Sequence, residues 1–178
     1  KFAYAANYGS NDISVYSIDP ANGALTVGTA VAAGTNPASI AVDPSGKFAY
    51  AANEGDNTIS VYAIHPTTGA LTAVGTAVAA GTNPTSIAVA PSTVNPLLGK
   101  FAYAANWGSN DISVYGIDPI TGALTAAGTA VAAGTNPSSV TVDPSGKFAY
   151  ATNWGSNNIS VYTSHATTGA LTAVGTVV

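Results

Sequence analysis

The chain repeats one segment four times, and this repetition constrains its fold more than any other feature. The copies begin with KFAYAANYGSNDISVY, KFAYAANEGDNTISVY, KFAYAANWGSNDISVY and KFAYATNWGSNNISVY, at Lys1, Lys47, Lys100 and Lys147. A repeat of about 47 residues is one supersecondary unit, which buries its apolar surface only against neighbouring units. We therefore interpret residues 1–178 as a single repeat domain, with repeats 1–46, 47–99, 100–146 and a truncated 147–178.

Each unit carries four strand signals separated by turn signals. Short apolar or alternating runs indicate strands, whereas clusters of Gly, Asn, Asp and Pro indicate turns. Asp43-Pro44-Ser45-Gly46 has the residues of a type I turn. No segment shows the apolar period of a helix. In the first unit, the predicted strands are Phe2–Ala6, Ile13–Tyr16, Ala24–Val31 (weakened by Gly28) and Ala38–Val42.

Four antiparallel strands in each repeated unit are typical of β-propeller blades, so the predicted fold class is all-β, with about four blades. A stacked β-solenoid is the competing fold, but its rungs are usually shorter. One insertion breaks the repeat at Pro91–Gly99, with Leu97 and Leu98 as its apolar residues. It is either a tolerated loop extension or a functional loop on one face.

The repeated tetrapeptide resembles that of YVTN-type propeller repeats, which occur in surface-layer proteins and in lactonase-like propellers related to 6-phosphogluconolactonase. Alanine stands in every copy where that family has valine. The resemblance implies a propeller, but in that family the ring has seven or eight blades and about twice this length. The four copies are Tyr4-Ala5-Ala6-Asn7, Tyr50-Ala51-Ala52-Asn53, Tyr103-Ala104-Ala105-Asn106 and Tyr150-Ala151-Thr152-Asn153.

The innermost strand type occurs only three times, at Ala38–Val42, Thr85–Val89 and Ser138–Val142. We therefore expect the first blade to lack its inner strand and the last outer strand to be cut short at Val178. An open arc would expose an apolar blade face, which is rare on monomers. We favour a homo-oligomer in which two chains close an eight-blade ring. A tight four-blade ring and a head-to-tail open assembly are the alternatives, and the chain could also be a piece of a longer propeller.

The composition excludes several classes of function. Only 7% of residues are charged, there is no Arg, and the net charge is −4, so nucleic-acid binding has no electrostatic basis. No apolar stretch predicts a membrane span. The absence of Cys and Met excludes thiolate chemistry and is compatible with an oxidising environment. We predict an extracellular or cell-surface location, with no cofactor and no metal.

One position varies among the copies while its neighbours do not. A row of large aromatic residues on loops can bind a glycan or a protein ligand, because aromatic faces stack on sugars and are enriched at interfaces. The alternative is that each ring packs over the neighbouring blade's loop. The adjacent Asn7–Asp12 segment faintly resembles a calcium loop, but Asx-turn hydrogen bonding accounts for it better. The predicted ligand-binding residues are Tyr8, Glu54, Trp107 and Trp154.

The family resemblance implies a top-face cleft in which His, Glu and Arg act on a lactone. This sequence has no Arg, and Glu54 is its only Glu. His65 and His165 fall in turns that we expect on the opposite face, so no catalytic set converges. The sequence therefore predicts a non-catalytic extracellular or cell-surface propeller, acting as a structural, self-assembling or binding module. The alternatives are a partial or degenerate lactonase-like hydrolase and a subunit of an extracellular filament or array.

Overall fold

The computed structural model describes residues 1–92 and 99–177, which form β-strands joined by turns, with no helix among them. The apolar runs of each repeat form the strands, and the Gly-, Asn- and Pro-rich clusters form the turns. The strands are β1 (Phe2–Asn7), β2 (Asp12–Ile18), β3 (Leu25–Val27), β4 (Val31–Ala32), β5 (Pro37–Val42), β6 (Phe48–Asn53), β7 (Thr58–Ile64), β8 (Leu71–Ala73), β9 (Val78–Ala79), β10 (Pro84–Pro91), β11 (Gly99–Asn106), β12 (Asp111–Ile117), β13 (Leu124–Ala126), β14 (Val131–Ala132), β15 (Pro137–Val142), β16 (Phe148–Asn153), β17 (Asn158–Ser164) and β18 (Leu171–Val177).

These strands form four antiparallel sheets, one per blade, as an all-β propeller requires. The sheet orders are β1-β2-β3, β5-β6-β7-β8, β10-β11-β12-β13 and β15-β16-β17-β18, and in the first three a short strand (β4, β9 or β14) continues the outer edge. The prediction of an all-β fold built from propeller blades is confirmed. Over the described ranges, we find no helix that is long and apolar enough to cross a membrane.

The blades are offset from the sequence repeats by one strand, because the inner strand of each blade comes from the end of the preceding repeat. The first sheet begins at β1 and has no inner strand, as predicted. The outer strand is interrupted near Gly28, where the N–H donates to the Val15 carbonyl at 2.7 Å. Residues 93–98 of the predicted insertion lie outside the described residues, and Pro91 pairs with Gly99 at its base.

Within the described residues, the last outer strand is one pair shorter than its equivalent in the third blade. β18 pairs with β17 from Ser164↔Leu171 to Ile159↔Val177. In the third blade the outer edge continues from Ile112↔Val131 to Asp111↔Ala132. An irregularity in the register between Val161 and Tyr162 lets β18 reach the level of Ile159 as one continuous strand.

Each blade has two apolar sides, because side chains alternate across its strands. The "Phe side" carries, in the first blade, Phe2, Tyr4, Ile13 and Val15, and the "Leu side" carries Ala3, Ala5, Tyr16 and Leu25. The Phe side of each blade packs on the Leu side of the next. The three resulting interfaces are the hydrophobic cores of the molecule.

Two tyrosine hydroxyls bridge each interface in opposite directions. On the Phe side, the hydroxyl donates to a glycine carbonyl of the next blade. On the Leu side, the hydroxyl donates back to an alanine carbonyl of the preceding blade. Both bonds recur at all three interfaces: Tyr4 to Gly69, Tyr50 to Gly122 and Tyr103 to Gly169 at 2.8, 3.1 and 3.0 Å, and Tyr62 to Ala32, Tyr115 to Ala79 and Tyr162 to Ala132 at 3.0, 2.8 and 2.8 Å.

A phenylalanine ring lies directly over the same glycine, so close that no side chain would fit between them. A Cβ added at Gly122 would lie 2.3 Å from the Phe48 ring, and the residue has a φ of +74°. Gly69 under Phe2 and Gly169 under Phe101 are equivalent, with φ of +71° in both. Because both the backbone angle and the ring demand glycine, these turns fix the position of each blade on its neighbour.

The two ends of the arc lack these partners. On the last blade Phe148 and Tyr150 are 39% and 36% exposed, whereas the equivalent Phe101 and Tyr103 are 7% and 0% exposed. On the first blade Leu25 is 57% exposed, whereas the three equivalent leucines are buried. The chain therefore does not close by itself as a four-blade ring, which removes one of the three predicted modes of closure.

We predict that Tyr50→Phe lowers the free energy of unfolding by about 1–3 kcal/mol, because it leaves the Gly122 carbonyl unpaired inside an interface. The matched control is Tyr8→Phe, since this side chain is 51% exposed and its hydroxyl has no hydrogen-bond partner among the described residues, and we expect a change within about 0.5 kcal/mol. Urea unfolding followed by circular dichroism measures both. Equal losses in the two variants would contradict the role of the inter-blade bond.

We also predict that alkali unfolds the chain. Burial raises the pKa of all six bridging tyrosines: Tyr4, Tyr50, Tyr62, Tyr103, Tyr115 and Tyr162. A tyrosine with a raised folded-state pKa contributes stability below its unfolded pKa of about 10, and this stability is lost as the pH rises towards the folded-state value. Circular dichroism and tyrosinate absorbance should therefore change together above about pH 10. Full ionisation with an unchanged far-ultraviolet spectrum would refute this prediction.

Candidate functional site

The turns between the second and third strand positions of the four blades share one face of the arc, which we call the loop face. They join β1 to β2, β6 to β7, β11 to β12 and β16 to β17. Tyr8, Glu54, Trp107 and Trp154, which the sequence singles out, occupy the same position in these four turns and form a row across consecutive blades.

Each turn is closed by its own polar side chains. Asn7 donates from Nδ2 to Asp12 Oδ1 and to Ser14 Oγ, both at 2.7 Å, and Ser10 Oγ donates to Asp12 Oδ1 at 2.9 Å. Asn106 and Asp111 repeat the bond at 2.7 Å. These bonds join side chains to one another, whereas an Asx turn bonds a side chain to the backbone two residues on, so the predicted Asx-turn bonding is not what closes the turn. Because hydrogen-bond donors converge on the Asp oxygen, the turn is unsuited to a cation. No group of three His, Asp or Glu residues within the described ranges could hold a metal ion.

Three crossover asparagines connect neighbouring turns of the row: Asn36, Asn83 and Asn136. The Asn83 N–H donates to Asn57 Oδ1 at 2.7 Å, its Nδ2 to the Glu54 carbonyl at 3.4 Å, and its own carbonyl accepts from the Trp107 N–H at 2.9 Å. The other two make the same contacts, and all three have a φ of +51° or +52°. Asparagine tolerates this left-handed conformation better than other non-glycine residues.

The crossovers hold the backbones of Glu54 and Trp107 from both sides, and those of Tyr8 and Trp154 from one side, without using the side chains of the row. Residue 54 is clamped through its N–H by Asn36 and through its carbonyl by Asn83. The side chain at this position therefore does not hold the turn together, which explains how Tyr, Glu and Trp can replace one another there. The side chain at such a position is available to contact a ligand on the loop face.

The structure brings two of the four predicted residues into contact. The ring centroids of Trp107 and Trp154 lie 5.4 Å apart with their planes inclined by 32°. Trp107 is half-buried by this contact, while Trp154 is 69% exposed and Tyr8 is 51% exposed. Contact between neighbouring loops, the alternative interpretation, thus holds for the tryptophan pair, although it leaves most of the outer ring accessible. Trp154 also borders an open depression of about 390 Å³ at the uncovered end of the last blade, lined further by Ser138, Thr152, Asn157 and Ile159.

The loop face is acidic. Its described turns carry the carboxylates of Asp12, Glu54, Asp56 and Asp111, while the four lysines stand at or before the starts of the second strands, near the opposite face. Two of the aspartates cap their turns, and Asp56 accepts the Thr35 N–H at 2.5 Å, a bond that lowers the pKa of its carboxyl. The Glu54 carboxylate has no hydrogen-bond partner among the described residues.

Both histidines lie away from this row, as the sequence predicts. His65 and His165 stand in the turns after β7 and β17, at the opposite face. Their Nδ1 atoms accept the N–H groups of Thr68 and Thr168, each at 3.3 Å. In the other two blades an aspartate does the same, and Asp118 accepts the Thr121 and Ile120 N–H groups, which lower the pKa of its carboxyl. The histidines are therefore turn caps.

Sequence reasoning missed Asp56 and the three crossover asparagines. Asp56 was detectable, because it stands where the other copies have Ser10, Ser109 and Ser156. The asparagines gave no comparable signal, since they recur without variation inside a segment that reads as an ordinary turn.

The comparisons with known proteins identify what the chain is similar to. A family model described as "Lactonase, 7-bladed beta-propeller" matches residues 1–89 and 94–178. Among solved structures, a protein from Bacteroides uniformis assigned as a 6-phosphogluconolactonase shares 26% identity with a TM-score of 0.85, over 100% of this chain and 52% of that one. One from Bacteroides fragilis with the same assignment shares 28% with a TM-score of 0.83, over 99% and 51%.

A further similar structure, a periplasmic gluconolactonase from Pseudomonas aeruginosa, shares 21% identity with a TM-score of 0.78, over 99% of this chain and 50% of that one, and it supports the fold alone. The chain thus spans about half the length of the structures it matches. A search among curated proteins found no match.

These findings overturn the prediction of a non-catalytic surface or binding module and support its alternative, a lactonase-like hydrolase. The prediction counted catalytic groups within one chain. That count was the wrong test, because the similar structures are about twice as long as the region they share with this chain. Groups missing from this arc can therefore stand on blades that have no counterpart in it.

We predict that Asn110→Ala destabilises the chain by about 1 kcal/mol more than Asn157→Ala. Both residues have positive φ, of 59° and 52°, so both variants incur the same backbone strain. Only Asn110 accepts a crossover N–H, that of Asn136 at 2.7 Å. Urea unfolding followed by tryptophan fluorescence measures the difference, and equal losses would show that the crossover bond does not stabilise the row.

Proposed function

Because the chain belongs to the lactonase family of seven-bladed β-propellers, we propose that it forms part of a lactonase-like hydrolase. The observation that carries the proposal is the match of the family model to residues 1–89 and 94–178, nearly the whole described chain. The similarity to two structures assigned as 6-phosphogluconolactonases supports the same reaction class. The reaction is the addition of water to a cyclic ester of a sugar acid.

We place substrate binding on the loop face, at the tryptophan pair. An exposed indole face beside an open depression suits the apolar face of a sugar ring, while hydroxyl and amide groups around the depression can bond the sugar's hydroxyls. Trp154, Ser138, Thr152 and Asn157 supply these two kinds of surface.

The charge of this face favours an uncharged lactone over a phosphorylated one. The chain has no Arg, and its four lysines stand towards the opposite face, while the loop face carries carboxylates. A phosphate dianion would be repelled by these carboxylates and would find no cation to pair with. Within the reaction class of the similar structures, we therefore propose a neutral sugar lactone as substrate.

Glu54 is the residue in this arc that we propose for proton transfer. Its carboxylate is free of structural hydrogen bonds within the described residues, and Asn83 fixes its backbone next to that of Trp107. In the proposed step, the carboxylate takes a proton from a water molecule whose oxygen bonds to the lactone carbonyl carbon. The ring C–O bond then breaks, and its oxygen takes up the proton to become a hydroxyl.

Stabilisation of the developing oxyanion is strongest with charged donors, and the described loop face has neutral hydroxyl and amide donors but no Lys or Arg. Since the matched structures are about twice as long as the chain, we propose that blades beyond these four supply the charged donors. The assignment of the repeat to the YVTN type found in surface-layer proteins remains a prediction. The extracellular or cell-surface location and the absence of cofactors also remain predictions.

The test is hydrolysis of δ-gluconolactone by the purified chain, followed by titration of the acid formed against the spontaneous rate. We expect acceleration with the neutral lactone and at least about tenfold less with its 6-phosphate, because of the repulsion described above. Glu54→Gln should lower the rate by about 100-fold if it is the base. Asp19→Asn, a carboxylate of the opposite face, is the matched control and should leave the rate unchanged.

Binding is measured separately through tryptophan fluorescence with gluconate as the probe. Trp154→Ala should abolish the response, whereas Ile120→Ala, in an exposed turn of the opposite face, should retain it. If the chain neither accelerates ring opening nor responds to gluconate, the proposed role in lactone hydrolysis is wrong. A preference for the phosphorylated lactone would refute the electrostatic argument for the substrate.

A further inference from the structure

The two ends of the arc are the two halves of an interface that the chain forms three times internally. The last blade presents its Phe side, with Phe148, Tyr150 and Ile159 each 36–39% exposed. The first blade presents its Leu side, with Leu25 exposed and Tyr16 half-buried. Every internal interface pairs one Phe side with one Leu side.

The residues left without partners at one end match those left without partners at the other. Phe148 has no glycine beneath it, while Gly23, with a φ of +77°, has open space where the other blades receive a ring. Tyr150 lacks the glycine carbonyl that Tyr4, Tyr50 and Tyr103 reach, and the Gly23 carbonyl is the equivalent acceptor. Around these polar partners both ends are apolar, and Lys147 stands where Lys100 donates to the Ala166 carbonyl across the third interface.

We propose that a second copy of this chain covers these ends, with the Phe side of one copy's last blade packed on the Leu side of the other copy's first blade. Phe148 then lies over Gly23 of the second copy, and the Tyr150 hydroxyl donates to its carbonyl. The interface is heterologous, because two different surfaces meet, and it can repeat from copy to copy.

This contact also extends the row on the loop face. Trp107 and Trp154 meet across consecutive blades, and the first blade of the second copy takes the place of the next blade. Tyr8 of the second copy therefore stands beside Trp154, and its blade covers the Ile159 side of the depression that Ser138 and Thr152 also line. The assembled site would present three aromatic side chains in succession.

The experiment is sedimentation of the purified chain over a range of concentrations, with one charge introduced at each end. Ile159→Asp blocks the Phe side and Leu25→Asp the Leu side. Both residues are exposed in the single chain, so both variants should fold, as circular dichroism can verify. We expect the unaltered chain to associate and each variant alone to associate at least about 100-fold more weakly, because assembly would bury an unpaired carboxylate.

An equimolar mixture of the two variants is the decisive sample. Each retains the half that the other has lost, so the mixture should form a 1:1 complex and nothing larger. Ile120→Asp is the control, since Ile120 is 85% exposed in a turn of the third blade, away from both ends. It should associate like the unaltered chain.

The proposal is overturned if the unaltered chain stays monomeric at every concentration. It is also overturned if Leu25→Asp alone still dimerises, which would show like ends pairing, or if the mixture forms no complex. A limiting mass of two copies supports the interface as the predicted eight-blade ring, and continued growth supports it as an open array of arcs. None of these readouts uses lactone hydrolysis, so their failure does not bear on the proposed function.

Discussion

The reciprocal tyrosine bridge between neighbouring blades is the contact on which the rest of the structure depends. A single blade has two apolar sides and cannot bury either alone. The chain has few charges, so most directional contacts between blades come from neutral groups. Two hydroxyls bonded in opposite directions, with a phenylalanine ring against a glycine, fix the position of each blade on the next. The alignment of the turns across the loop face follows from this fixed position.

The sequence was sufficient to predict the strands, the turns and the missing inner strand, because these features are set by local residue patterns and by the repeat itself. It was not sufficient for the tyrosine bridges. An alternating strand such as Ile-Ser-Val-Tyr has the same pattern whether its tyrosine hydroxyl faces solvent or bonds to another blade. The path of β18 was not predictable for a related reason. Counting repeat residues assumes that every outer strand follows one path, whereas β18 keeps its pairing with β17 through a local irregularity.

The candidate site was predictable in part for the same reason. Variation at one position against constant neighbours located Tyr8, Glu54, Trp107 and Trp154, and the structure places them in one row with two rings in contact. The functional prediction failed because it treated the residues of one chain as the complete chemical inventory. In a propeller, a central site draws side chains from loops of several blades, so an arc that matches half of its relatives carries only part of the chemistry.

The crossover asparagines show how such a scaffold can change its chemistry without changing its fold. Each links the backbones of two consecutive residues of the row, because its side-chain amide donates to the carbonyl of one and its own carbonyl accepts the N–H of the other. Replacement of Tyr by Glu or Trp in that row therefore leaves the bonds between turns intact. The change in folding free energy is then limited to the solvation and packing of the new side chain. The acidic, arginine-free loop face can then differ from that of other lactonase-family propellers while the blades beneath it stay superimposable. The neutral substrate that we propose requires only such replacements of loop side chains.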